Sequence, residues 1–183
     1  MTVNVTKPAI NLREKLSELE FDRVPFQKMP AGSVLQVVQT VKTSNFSTTS
    51  GSYVDITGYS ATITPSSTSS KILVISNFFA GSDAHPYPKF QLLRNSTNIF
   101  QGDSYGSSTR QSAGMYSAGV SPNQIISVAT CYLDSPATTS AVTYKWQVST
   151  YASRAIYIGS SSGSTDLNNA TTPSTITLME IAQ

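Results

Sequence analysis

Cleavage of a glycosidic bond needs two carboxyl groups facing each other across a sugar ring. Beyond residue 30 the candidates are Asp55, Asp83, Asp103, Asp134, Asp166 and Glu180. No motif pairs any two of them, and Asp103-Ser104 and Asp134-Ser135-Pro136 read as turn formers. A thiol nucleophile needs a base beside it, and the chain has one cysteine, Cys131, and one histidine, His85. Cys131 lies in the apolar run 125–133, which predicts a small buried hydrophobe. A single cysteine also excludes an intramolecular disulfide framework. His85 sits in Asp83-Ala84-His85-Pro86-Tyr87-Pro88, where Asp83 is its one nearby potential co-ligand. Metal sites take more ligands than that, so this loop predicts a surface histidine. There is no Gly-rich phosphate loop, no CxxC pair and no GxSxG. The sequence therefore predicts no catalytic residue, no metal and no cofactor.

The nine tyrosines are more informative. Tyr87, Tyr105, Tyr116, Tyr151 and Tyr157 fall in or beside predicted loops, among Ser, Asn and Gln. Rings in such company suit stacking on sugars and adaptable hydrogen bonding. They equally suit the edge of a core or a subunit interface. Arg94, Arg110 and Arg154 are the candidate charged anchors. The expected ligand-facing set is Tyr87, Tyr105, Tyr116, Tyr151 and Arg110.

What positions these residues is a chain of two unlike parts. Charged residues are 12% of the 183 residues and the net charge is +2. That is too neutral for phosphate neutralisation, and no cluster of Lys and Arg occurs, so nucleic acid is not an expected partner. Residues 1–30 nevertheless hold Lys7, Arg13, Glu14, Lys15, Glu18, Glu20, Asp22, Arg23 and Lys28. The composition changes at Met29-Pro30-Ala31-Gly32, which divides an arm, residues 1–30, from a body, residues 31–183. No apolar stretch approaches the length of a membrane span, and the first ten residues, interrupted by Pro8, do not read as a secretory signal.

Within the arm, Asn11 followed by Glu14 resembles a capping box with an Asn cap. Leu12, Leu16 and Leu19 form one apolar stripe at helical spacing, Phe21 and Phe26 follow, and Pro25 stops any continuation. A helix of about ten residues is shorter than the roughly 12–15 at which isolated helices become marginal in water. It must pack on its own body, on copies of itself or on another protein. Leu12, Leu16, Leu19, Phe21 and Phe26 are the predicted anchoring or oligomerisation contacts.

The body reads as strands. Apolar and aromatic residues are 39% and 9% of the chain, which argues against disorder despite the abundance of Ser and Thr. Strands are expected at 33–41, 52–57, 59–64, 71–80, 89–94, 99–101, 113–118, 124–133, 141–149, 154–158 and 174–182. The run 71–80 reads as a central strand buried on both faces, and Asn95-Ser96-Thr97-Asn98 as a hairpin turn. Turn-separated strands with no second helical pattern predict an all-β, antiparallel β-sandwich, with an eight-stranded jelly roll as first choice. Missing crossover helices exclude a parallel α/β fold.

Lys7-Pro8-Ala9-Ile10-Asn11-Leu12-Arg13-Glu14-Lys15-Leu16, Gly32-Ser33-Val34-Leu35-Gln36-Val37-Val38, the stretch from Thr64 to Val74, Leu92-Leu93-Arg94-Asn95 and the ending from Ser174 to Ile181 together resemble small structural proteins of tailed bacteriophages, marine and cyanobacterial ones especially. The resemblance implies a jelly-roll-like head, commonly a homotrimer, carried on an N-terminal virion-anchoring segment, and it brings no catalytic residue with it. On that footing the chain is expected to be a non-enzymatic virion structural protein, a fibre or a capsid decoration. It would be made in the host cytoplasm, displayed on the particle surface and partnered by other virion proteins. The alternative is a receptor- or carbohydrate-binding tip recognising a host-surface glycan. A polysaccharide-cleaving enzyme would require the carboxylate pair that the sequence does not place.

Overall fold

The computed structural model describes residues 29–82, 87–115, 124–151, 153–161 and 170–183. The arm residues Leu12, Leu16, Leu19, Phe21 and Phe26 lie outside the described residues, as do Asp83, His85, Tyr116 and Asp166.

Every regular element among the described residues is a strand: β1 (Val34–Lys42), β2 (Phe46–Thr48), β3 (Val54–Ile63), β4 (Lys71–Ser82), β5 (Lys89–Arg94), β6 (Thr97–Ile99), β7 (Ala113–Gly114), β8 (Ile125–Asp134), β9 (Val142–Ser149), β10 (Ile156–Ile158) and β11 (Ser174–Ile181). The runs at 52–57 and 59–64 are one strand, β3, whose pairing shifts between Asp55 and Ser60 around Gly58 at φ +77. The hairpin closes two residues earlier than expected. Asn95 takes the left-handed conformation (φ 55), and β6 begins at Thr97. β2, absent from the sequence reading, adds to the outside of β10.

The pairing is nested. β1 pairs with β11, β3 with β9, β4 with β8, and β5 with β6 and β7, all antiparallel. First with last, working inward, is the connectivity of a long hairpin rolled into two sheets, the jelly roll. In the first sheet β11 lies between β1 and β4, and β8 lines the other edge of β4; β10 continues the β11 edge of β4 from Ala80 to Ser82. In the second, β9 lies between β3 and β5, and β6 and β7 occupy successive parts of the far edge of β5. The chain enters the body through hydrogen bonds from Gly32 N to Ala182 O and from Ala182 N to Ser33 O, which join its start to its end.

The core lies between the sheets, because alternate residues of every long strand point inward. Phe78 is its hub. Its ring packs against Tyr59 at 5.6 Å and Phe90 at 4.9 Å in the edge-to-face geometry that ring quadrupoles favour, and against Trp146 at 5.4 Å in a tilted one. All four rings are fully buried, with Ile72, Leu92, Ile156, Ile176 and Leu178 around them.

Two expectations are corrected. β4 is central, but it is not buried on both faces. Ile72, Val74, Ser76, Phe78 and Ala80 are buried, whereas Leu73, Asn77 and Phe79 are half-buried and Ile75 is exposed. Cys131, on β8 opposite Ile75, is exposed rather than buried. Both errors have one cause: the outer face of this sheet is apolar, so its strands read as continuous apolar runs.

Candidate functional site

Two surfaces stand out, one on a sheet face and one at a loop end. The first is the outer face of β1, β11, β4 and β8. Backbone register lines its outward residues into rows: Val37, Met179, Leu73 and Leu133, then Gln39, Thr177, Ile75 and Cys131, then Val41, Thr175, Asn77 and Ala129. One row is entirely apolar across four strands. No outward position in these rows is ionisable except the Cys131 thiol, and Lys71 stands at the corner beside Ile181. Val37 is 56% exposed, Val41 52% and Leu133 44%.

The outer face of the second sheet is of the opposite kind. Lys145 Nζ lies 2.8 Å from Asp55 Oδ2, Gln147 Nε2 donates to Asp55 Oδ1, and the Thr62 and Thr143 hydroxyls meet at 2.7 Å. The Lys145 and Gln147 hydrogen bonds hold Asp55 below the usual carboxylate range. An antiparallel sheet with one solvated face normally carries polar residues there, as this second sheet does and the first does only in part, at Gln39, Thr177, Thr175 and Asn77.

The second surface is at the end of the sandwich where β4 passes to β5 and β9 to β10. Lys89 pairs with Ser149, so Tyr87, just before β5, and Tyr151, just after β9, emerge side by side. Their rings meet edge to face at 6.2 Å. Tyr87, Pro88, Lys89, Gln111, Gly114 and Met115 line an open concavity of about 420 Å³ beside them. The structure thus brings together two of the expected ligand-facing residues. Tyr105 and Arg110 belong to a different loop, between β6 and β7. Tyr105 is 83% exposed, and Arg110 Nε donates to Gly102 O at 2.7 Å, which braces that loop. Lys89 Nζ, donating to Thr109 Oγ1, links the two loops. Gln111, which the sequence reading did not single out, lines the concavity; a polar residue in a Gly/Ser-rich loop gave no signal for it.

Among the described residues, Asp55, Asp134 and Glu180 have structural partners. Arg94 Nη1 lies 3.0 Å from both oxygens of Asp134, so Arg94 is tied up inside the body rather than offered to a ligand. Glu180, fully buried on β11, accepts hydrogen bonds from Ser66 N, Ser66 Oγ and Gln36 Nε2 at 2.6–2.7 Å. Burial pushes its pKa up, but these donors, with Ser70, outweigh it and hold the carboxyl below its ordinary value. Among the described residues no cluster of three His, Cys, Asp or Glu side chains could hold a metal. No helix among them is long and apolar enough to cross a membrane.

Comparison with protein-family models gives no match, and comparison with curated proteins gives none. Among solved structures, the chain is similar to the VP2 subviral particle of infectious bursal disease virus, at 12% identity and a TM-score of 0.42, over 85% of this chain and 40% of that one. It is also similar to the structure of the Gt strain of the same virus, at 11% identity and a TM-score of 0.39, over 81% of this chain and 38% of that one. The chain spans about two fifths of the length of these structures.

Proposed function

We propose that this chain is a non-enzymatic structural component of a virus particle, a fibre or a capsid decoration. Residues 1–30 hold it to the particle, and the jelly-roll body stands outward as an oligomeric head, a homotrimer. Its partners are other virion proteins, and it is made in the host cytoplasm before incorporation. The observation that carries this reading is a division of labour along the chain. Among the described residues the core runs from Val38 on β1 to Leu178 on β11, and the ends of the body meet where Gly32 and Ser33 hydrogen-bond to Ala182. We assign attachment to the charged leading segment on its sequence, because its stripe of Leu12, Leu16 and Leu19 is predicted on a helix too short to stand alone. Jelly rolls are a recurrent architecture of capsid and lectin domains, and the resemblance to tailed-phage structural proteins points the same way.

The test is incorporation. Deleting residues 1–30, or replacing Leu12, Leu16 and Leu19 by Asp in the full chain, is expected to remove the protein from purified particles while the thermal unfolding of the body persists. Normal incorporation of either variant would overturn the reading.

A second reading, a carbohydrate-binding tip that recognises a host-surface glycan, is favoured by one observation, the Tyr87–Tyr151 ring pair beside the concavity at one end of the sandwich.

A further inference from the structure

We propose that the outer face of the β1-β11-β4-β8 sheet is the surface on which a second copy of this chain docks. The proposal deepens the oligomeric head described above by naming the surface that builds it, and it rests on that reading.

Nine large hydrophobic residues are exposed among the described residues, and five of them, Val34, Val37, Val41, Ile75 and Leu133, lie on the strands of this sheet. Scattered exposed apolar residues are ordinary, whereas a contiguous apolar patch marks a contact surface. Here the strand register makes the patch contiguous around Val37, Leu133 and Ile75, with Val41 set off beyond Gln39 and Thr177. Val37, Met179, Leu73 and Leu133 form an unbroken row, with Ile75 and Cys131 in the next.

Size and charge identify the occupant. Four strands spaced about 4.8 Å apart, and about eight residues long at about 3.3 Å each, give a face of about 500 Å². Covering it from both sides buries about 1,000 Å², the lower bound for a specific interface between folded proteins. A ten-residue helix, such as the arm could supply, is about 15 Å long and about 10 Å across, and shadows about 150 Å² of it. That helix alone is therefore too small to cover this face, whereas another body is large enough. The rows carry no charge to steer or select a charged partner, and a surface of the same neutral kind exists on every copy of the chain. Lys71, at the corner, remains at the rim of such a contact, where a charge is readily solvated.

The single cysteine is a built-in reporter, because Cys131 sits in the second row beside Ile75. The experiment measures the mass of the full-length chain by light scattering across a dilution series, and in parallel the rate at which an aromatic disulfide reagent labels Cys131. The expected result is a dimer or trimer that dissociates on dilution, with Cys131 protected in the oligomer and labelled rapidly in the monomer. Val37→Glu combined with Leu133→Glu, at the two ends of the apolar row, is expected to give a monomer with fast labelling at every concentration. The dilution series on the unsubstituted chain decides the matter even if that variant fails to fold. A chain that is monomeric throughout overturns the proposal, as does an oligomer in which Cys131 labels as fast as in the monomer. A monomer with Cys131 protected at all dilutions also overturns it, by assigning the face to the chain's own arm. None of these readouts uses particles, so failure here is distinct from failure of incorporation.

Discussion

The hydroxyl of Tyr144 donates to Asp134 Oδ2 at 2.6 Å, and this short bond ties the end of β8 in one sheet to β9 in the other. The remaining capacity of Asp134 is taken by Arg94, whose Nη1 also reaches Ser135 O. Asp134 and Tyr144 are both buried. Burial first, and the adjacent carboxylate second, push the Tyr144 hydroxyl far above its ordinary pKa, so it stays protonated and a donor across the usable pH range. Removing one partner of a buried charge-assisted bond leaves the other unsatisfied, at a cost of about 1–3 kcal/mol. Tyr144→Phe is expected to lose that amount. Asp134→Ala should lose more, because it strands both the hydroxyl and the guanidinium. Denaturant midpoints at constant slope measure both, and an unchanged midpoint for Tyr144→Phe would show that the bond adds nothing.

Glu180 predicts an acid limb to stability. Its folded pKa lies below the ordinary value of 4.5. The folded state therefore binds its proton less readily than the unfolded state does. The resulting stabilisation is fully present above the unfolded pKa and is lost as pH falls through the folded one. Asp55 is shifted in the same direction, but its side chain is 51% exposed, and such surface pairs contribute about 0–1 kcal/mol at most. Glu180→Gln is thus expected to flatten the decline below about pH 4.5 while Asp55→Asn barely alters it. Thermal unfolding from neutral to acidic pH tests this. An equally steep acid decline in Glu180→Gln would assign the effect elsewhere.

The sandwich was legible because turn clusters such as 65–70 separate runs of strand-forming residues. Pairing was not, since nothing local in Glu180 announces that it will hold the Ser66 loop more than a hundred positions away. The two burial errors are instructive. An apolar run normally means a strand covered on both sides, and from Lys71 to Ala80 it conceals an alternation of outward and buried residues. Leu73, Ile75 and Phe79 of the outward half are apolar as well, so the periodicity is hidden in the sequence. The tyrosines divided for a topological reason. Tyr87 and Tyr151 meet because Lys89 and Ser149 are register partners, whereas Tyr105 rides on a loop inserted between β6 and β7.

Gly81 is predicted to tolerate no side chain. It lies on β4 opposite Tyr157 of β10, and a Cβ built there would stand within 2.6 Å of the Ser161 carbonyl carbon and Cα, which are backbone atoms. A flexible side chain could move aside, but the backbone at Ser161, three residues past β10, has to be displaced as a whole. Overpacking of this kind costs about 1–3 kcal/mol. Gly81→Ala should lower the denaturant midpoint accordingly. Gly102→Ala, with open space around its Cβ position, serves as the control and should leave the midpoint near that of the parent. Equal midpoints for the two variants would mean that the close approach of Ser161 is not maintained in solution.

The loop-end tyrosines make the carbohydrate-binding reading testable. Tyr151 is 65% exposed, yet its ring is oriented by the edge-to-face contact with Tyr87. An oriented ring loses little entropy when a sugar stacks on it, and aromatic contacts of this kind contribute about 0.5–1.5 kcal/mol, or about two- to tenfold in affinity. On a glycan array the full-length chain is expected to retain a defined set of sugars, and Tyr151→Ala to weaken that retention by the same factor. Tyr105→Ala, altering a loop outside the pair, should leave it unchanged. Because the ring pair is on the surface, neither substitution removes core packing, and matched unfolding curves would confirm that any lost binding is local. Retention that is absent in the parent, or equal in Tyr151→Ala, would leave the head with a purely structural role.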